Sequence, residues 1–212
     1  PTAVVDVEYR RDIQPILRRS CAACHGKEKP AGKLSLDADD ELVPVEQHGK
    51  LPGTYARLAQ DERAKFGHKP VGYDTWGYPN ASRYVRKLQS RRSLLAWKIF
   101  GRRLDGFSND DHPSEPEPGA GTLAQAGRDV DLAKNRSRWD VDFLGSAMPP
   151  PEAVAGTWKT ADGSTLKVEP LSDEDRRTII RWIDLGCPID LDPGPAGYGW
   201  AADDQRPVLA LT

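Results

Sequence analysis

The chain has 212 residues, enough for one domain, or one domain with a large insertion, that buries a sizeable core. Its 30 basic and 32 acidic residues leave a net charge of −2, so no overall field recruits nucleic acid or an anionic membrane surface. No apolar run approaches the roughly 18 residues of a membrane span, which excludes membrane insertion of this segment, and 18 prolines and 19 glycines predict a loop-rich chain poor in strands.

The sequence starts at Pro1 without an initiator Met or signal peptide, which points to a processed protein or an excised domain. After a short apolar stretch over Ala3–Val7, residues Ile13, Ile16, Leu17 and Ser20 recur at i, i+3, i+4 and i+7, one face of a helix over about Asp12–Ser20. Pro15 falls near its start, where a missing N–H is tolerated. Cys21-Ala22-Ala23-Cys24-His25 follows at once and has the form of the c-type haem attachment signature. Two thiols one turn apart can each form a thioether with a vinyl group of one porphyrin, and His25 then reaches the iron as proximal ligand. A tetrahedral zinc site would need a second cysteine pair, and only Cys187 remains.

Asp12-Ile13-Gln14-Pro15-Ile16-Leu17 followed by Cys21-Ala22-Ala23-Cys24-His25-Gly26 resembles the "D-I-x-P-I-L … C-x-x-C-H-G" opening of planctomycete-type cytochrome c domains, single-haem modules found in large secreted multidomain proteins. Near the other end, Leu171-Ser172-Asp173-Glu174-Asp175 and Ile179-Ile180-Arg181-Trp182-Ile183-Asp184-Leu185-Gly186-Cys187-Pro188 resemble the family's closing helix. The resemblance covers both ends of the chain and not its middle. It implies a mainly α fold with a class I-like cytochrome c core, one covalently held haem c, and maturation in the periplasm or outside the cell. It also implies that a proline carbonyl, here best placed at Pro30, holds the other N–H of the proximal imidazole; the alternative is that Pro30 only shapes a turn.

The remaining segments follow in order. Asp37, Asp39, Asp40 and Glu41 form an acidic cluster that reads as a solvated turn, its spacing matching no known calcium loop, with Ca²⁺ binding as the alternative. Residues 43–79 read as an insertion loop with one helical signal at Thr54–Leu58, and Gly72–Pro79 as an aromatic loop that packs on the core or takes a sugar. Ala81–Arg103 carries eight bases and no acid; within it Ser90 or Ser93 is placed to cap an apolar helix over Leu94–Phe100 that Gly101 ends. Those bases are available to haem propionates, to an acidic partner, or to the acids from Asp105 to Glu117.

Residues 105–138 read as a second insertion loop. It is followed by Met148, the only methionine, ahead of Pro149, Pro150 and Pro151. A small β-hairpin is expected over about 156–169 around Asp162-Gly163, then a helix capped by Ser172 that buries Ile179, Trp182 and Ile183 and stops at Gly186-Cys187-Pro188. Cys187 reads as a buried small hydrophobe, with an intermolecular disulfide as the alternative, and Pro207–Thr212 as a strand that stops without a turn. One domain over 1–212 results, with its core in about 8–42, 80–104 and 139–190.

Function turns on the sixth iron position. Met148, in a stiff proline-flanked loop before the last helix, is the expected second axial ligand; His48, His68 and His112 are the other candidates. With His25 and Met148 both bound, the iron has no vacant site, and the expected role is one-electron transfer to a redox partner protein or an adjoining catalytic domain. Trp97 and Trp182 are then expected to pack the haem and keep it dry. Without the methionine, an open-site haem enzyme of peroxidase-like or small-nitrogen chemistry is the alternative, since some relatives of the family sit inside hydrazine-forming assemblies. A haem sensor or structural module is the third class.

Overall fold

The structure is a computed structural model describing residues 6–28, 30–45, 49–60, 82, 84–106, 143, 145–160 and 163–189. The chain enters through a π-helical turn at Tyr9–Ile13 that runs into α1, Gln14–Ser20. Glu8 organises this start. Its carboxylate accepts from the Arg11 N–H at 2.8 Å, and its own N–H donates to the Asp12 carboxylate at 2.7 Å, a reciprocal pair that satisfies two otherwise orphaned donors.

Residues Leu42–Val45 (β1) and Gly49–Pro52 (β2) form an antiparallel pair, with Leu42 opposite Pro52 and Val45 opposite Gly49. The helical turn Gly53–Tyr55 (α2) follows and continues as a second π-helical turn, Ala56–Gln60. The expected insertion loop over 43–79 is therefore corrected for its described part. Val45, Leu51, Tyr55 and Leu58 are all in the apolar core, which a surface loop does not supply. Only glycine fits at position 53, because a Cβ there would lie 2.4 Å from the Ala38 carbonyl. The rest of that range, the aromatic loop 72–79 included, lies outside the described residues, as do 107–138 of the second expected insertion.

Helix α3, Leu94–Phe100, buries Leu94, Ala96, Trp97 and Ile99, and Gly101 ends it in the left-handed conformation (φ 68°). Ser93 holds the N-cap position but does not cap: its hydroxyl accepts from the Arg86 N–H at 2.8 Å and donates to the Gln89 carbonyl at 3.1 Å. Ser90 instead ties α3 to the last helix, its N–H and hydroxyl reaching the Asp184 carboxylate at 2.9 and 2.8 Å.

Helix α4, Pro151–Ala155, precedes the hairpin of Trp158–Lys159 (β3) with Thr165–Leu166 (β4). There are thus two small hairpins among the described residues where one was expected. Helix α5, Asp173–Asp184, opens on a full capping box between Ser172 and Asp175 and buries Ile179, Trp182 and Ile183.

The core closes where the first and last described segments meet. Trp182 packs against Tyr9 and Tyr55 with ring centroids 5.9 and 6.2 Å away, and the two tyrosines meet edge-on at 5.2 Å. Their polar ends are all satisfied. The Trp182 indole N–H donates to the Pro188 carbonyl at 3.0 Å, the Tyr55 hydroxyl to the Cys187 carbonyl at 2.7 Å, and the Tyr9 hydroxyl to Asp39 at 2.9 Å. The Tyr9 N–H adds a bond to the same Pro188 carbonyl at 3.1 Å. No helix among the described residues is long and apolar enough to cross a membrane.

Candidate functional site

The motif lies on the turn that finishes α1. Cys21 and Ala22 both donate to the Leu17 carbonyl at 2.9 Å, and Cys24 and His25 both donate to the Cys21 carbonyl at 3.1 Å, so one turn of backbone presents two thiols and an imidazole. Both cysteines are free thiols. Burial, and then the neighbouring Cys24, push the Cys21 thiol up to about 12; burial also raises Cys24. The attacking thiol of a redox Cys-x-x-Cys needs the opposite shift, and at Cys21 the lowering pull of Arg19 is outweighed by burial. Both thiols are thus held protonated, which disfavours disulfide exchange.

His25 is held from two sides. Its Nδ1 lies 2.9 Å from the Leu34 carbonyl, and its own carbonyl accepts from the Leu36 N–H at 2.7 Å. Since a carbonyl only accepts, Nδ1 carries the proton and Nε2 keeps its lone pair, the tautomer a metal-binding imidazole requires. Burial lowers the pKa of the ring, against the opposing pull of the Leu34 and Ala31 carbonyls, which keeps it neutral.

The partner carbonyl expected at Pro30 is thus corrected to Leu34. Pro30 precedes a 3-10 turn, Ala31–Lys33, that Gly32 completes with a left-handed φ of 58°, and the Ala31 N–H folds back onto the Cys24 carbonyl at 3.0 Å. That turn swings the chain round so that the carbonyl beyond it, not the one before it, meets the imidazole. Pro30 shapes the turn.

Among known proteins, no family model matches the chain. It is similar to hydrazine synthase subunit alpha of Kuenenia stuttgartiensis. The identity is 26% over 193 residues, which cover 91% of this chain and 16% of that subunit, so the chain spans about a sixth of the relative's length. A solved structure of Kuenenia stuttgartiensis hydrazine synthase matches 87% of this chain and 16% of that one, with 23% identity and a TM-score of 0.45.

The other expected site residues fall in three places. Met148 is half-buried, and its N–H donates to the Lys98 carbonyl at 2.8 Å in the last turn of α3. The adjoining Ala147 lies where a Cβ on Gly101 would come within 3.0 Å of it. Trp97 is fully buried on α3, its indole N–H donating to the Arg91 carbonyl at 2.8 Å and its face covered by the Arg103 guanidinium at 4.4 Å. Trp182 belongs to the aromatic cluster that joins α5 to the first turn. His48, His68 and His112 lie outside the described residues, among which His25 is the only histidine.

The basic block and the acidic turn are both put to structural use. Arg103 pairs with Asp105 at 2.6 Å, with side chains only 6% and 4% exposed, an ion pair of the interior. Asp39 accepts from Tyr9 and from Gln14, Asp40 pairs with Lys27, and Glu41 with Arg57. Among the described residues no group of His, Cys, Asp or Glu side chains is arranged to hold a metal ion. Cys187 is buried at the φ 60° turn after α5, as a small hydrophobe would be. Leu34 acts through its backbone, which no side-chain pattern announces. Arg103 and Asp105 were signalled only by their two-residue spacing at the edge of the basic block.

Proposed function

We propose that the chain is a c-type cytochrome domain of a larger oxidoreductase, carrying one haem tethered by Cys21 and Cys24 and passing single electrons. The observation that carries this is the His25 tautomer: an imidazole held at Nδ1 by the Leu34 carbonyl, directly beside two protonated thiols spaced for thioether formation. Bound haem supplies a one-electron iron couple. The chain's own residues do the rest. His25 would hold the iron through Nε2, and Met148, whose loop is anchored on the last turn of α3 through the Lys98 carbonyl, would offer its thioether. A soft neutral sulfur favours Fe(II) and raises the potential. Trp97 and Trp182 exclude water from the surrounding interior. The class I-like helical arrangement, and a periplasmic or extracellular location, belong to the same proposal.

Haem attachment is tested by mass and absorption of the protein made with a cytochrome c maturation system. Sulfur ligation is tested by the near-infrared charge-transfer band of the oxidised protein, expected in the wild type and lost in Met148→Ala. Its survival in that variant refutes the assignment.

A second proposal follows from the similarity to a subunit named for hydrazine synthesis: the domain holds its iron open for small-nitrogen chemistry. Rapid binding of cyanide or CO to the resting protein, with no charge-transfer band, would select it over the first.

A further inference from the structure

One residue, Lys98, grips both ends of the stretch that runs from Phe143 to Met148. At the far end the Met148 N–H donates to the Lys98 carbonyl at 2.8 Å, one of the acceptors that the last turn of α3 leaves without an intrahelical partner. The carbonyls on either side are engaged elsewhere, that of Trp97 with the Arg102 N–H and that of Ile99 with Arg176 Nε, each at 3.1 Å. At the near end the Lys98 ammonium lies over the Phe143 ring, 5.0 Å from its centroid. Between the two ends the chain passes the same ammonium closely. Gly145 is left-handed (φ 75°), and a Cβ built on it would come to 3.9 Å from Lys98 Nζ.

A thioether is a weak, neutral donor, so its hold on an iron depends on how firmly the backbone beneath it is placed. Lys98 supplies that placement in two ways, through its carbonyl at Met148 and through its cation at Phe143, which itself packs against the apolar core. We propose that Lys98 is a positioning residue for the axial thioether: its ammonium clamps Phe143 and so keeps the loop in the register from which Met148 reaches the iron. The inference rests on the axial role proposed for Met148. Lys98 acts through Phe143 and the loop, without touching the iron.

The test uses the ferric holoprotein and imidazole at a pH where that probe is neutral, so that loss of a cation does not alter its approach. Imidazole competes with Met148 for the iron, and loss of the near-infrared band reports the displacement. The apparent affinity for imidazole is expected to rise about two- to fivefold in Lys98→Met and in Phe143→Leu, the factor that a partly exposed cation over a ring supplies. Lys98→Arg, which keeps the cation, is expected to match the wild type. The double variant Lys98→Met/Phe143→Leu is expected to match either single variant, as two halves of one contact must. The main-chain bond from Met148 to residue 98 is available in all of them, so only the side-chain clamp is read. Wild-type imidazole affinity in Lys98→Met, whatever its melting temperature, overturns the proposal and leaves Met148 as ligand; so does a double variant whose effect is the product of the two single ones. A wild-type holoprotein without the near-infrared band overturns Met148 ligation and this inference with it. Should Lys98→Met yield no holoprotein, Lys98→Gln takes its place with the same outcomes.

Discussion

Replacing Asp105 by alanine leaves the Arg103 guanidinium charged, buried and lying on the Trp97 face. The size of the loss follows from exposure. Arg103 and Asp105 are 6% and 4% exposed at 2.6 Å, whereas Arg19 and Asp175 make a contact of the same length with side chains 37% and 15% exposed. Solvent screens the second pair, whose breaking costs at most about 1 kcal/mol. For the first, loss of one partner from a buried pair costs more, up to about 3–5 kcal/mol. Urea denaturation followed by tryptophan fluorescence compares Asp105→Ala with Arg19→Ala on the same holoprotein, at unchanged m. The double variant Arg103→Met/Asp105→Leu removes both charges and is expected to recover most of the loss. Equal costs for Asp105→Ala and Arg19→Ala, or a double variant as unstable as the single, would refute the claim that this pair is an interior one.

Four further outcomes are expected. Ser172→Ala removes the hydroxyl that accepts from the Asp175 N–H at 3.0 Å and should cost about 1 kcal/mol by chemical denaturation. At Asp175 burial acts to raise the carboxyl, but bonds from Ser172 and Arg19 outweigh it and hold the group below its usual range. The unfolded chain thus takes up this proton first as pH falls. The contribution is fully present above about pH 4, the ordinary aspartate range, and is lost through and below it. Asp175→Asn should flatten that acid slope in a pH series of melting temperatures. Gly101→Val sets a β-branched residue at φ 68° with Ala147 within 3.0 Å of its Cβ, so it should cost over about 1 kcal/mol and, by moving the segment before Met148, weaken the near-infrared band of the oxidised protein. Trp182→Ala opens the aromatic cluster and should cost about 3–5 kcal/mol in the same denaturation assay; a cost under about 1 kcal/mol would place Trp182 outside the core.

The helices that carry the site were legible where local chemistry announces itself. Ile13, Ile16 and Leu17 mark α1 by their spacing, Gly101 marks the end of α3, and Ser172 with Asp175 marks the start of α5. The hairpin Leu42–Pro52 was not legible, because its prolines and glycine read as loop punctuation, while the reasons it is buried, Tyr55 and Leu58 among them, come later in the chain. At the motif, Cys21, Cys24 and His25 are visible as residue types. The atom that orients His25 is a main-chain oxygen brought round by Gly32, and main-chain oxygens carry no sequence signal. Ser93 shows the same limit from the other side: it stands at the N-cap and spends its hydroxyl on a tertiary contact with Arg86 instead.

The bond from Tyr9 to Pro188 also has a bearing on biosynthesis. A chain leaving the ribosome or a translocation channel presents Cys21, Cys24 and His25 long before Trp182 and Pro188 emerge, and until they do Tyr9 and Tyr55 lack the surface they pack on. The Cys21–His25 turn needs only Leu17 and the residues up to Leu36, all nearby in sequence. Its thiols are therefore assembled early and enclosed late, which, on the proposed haem function, would leave a maturation apparatus an interval in which to reach them.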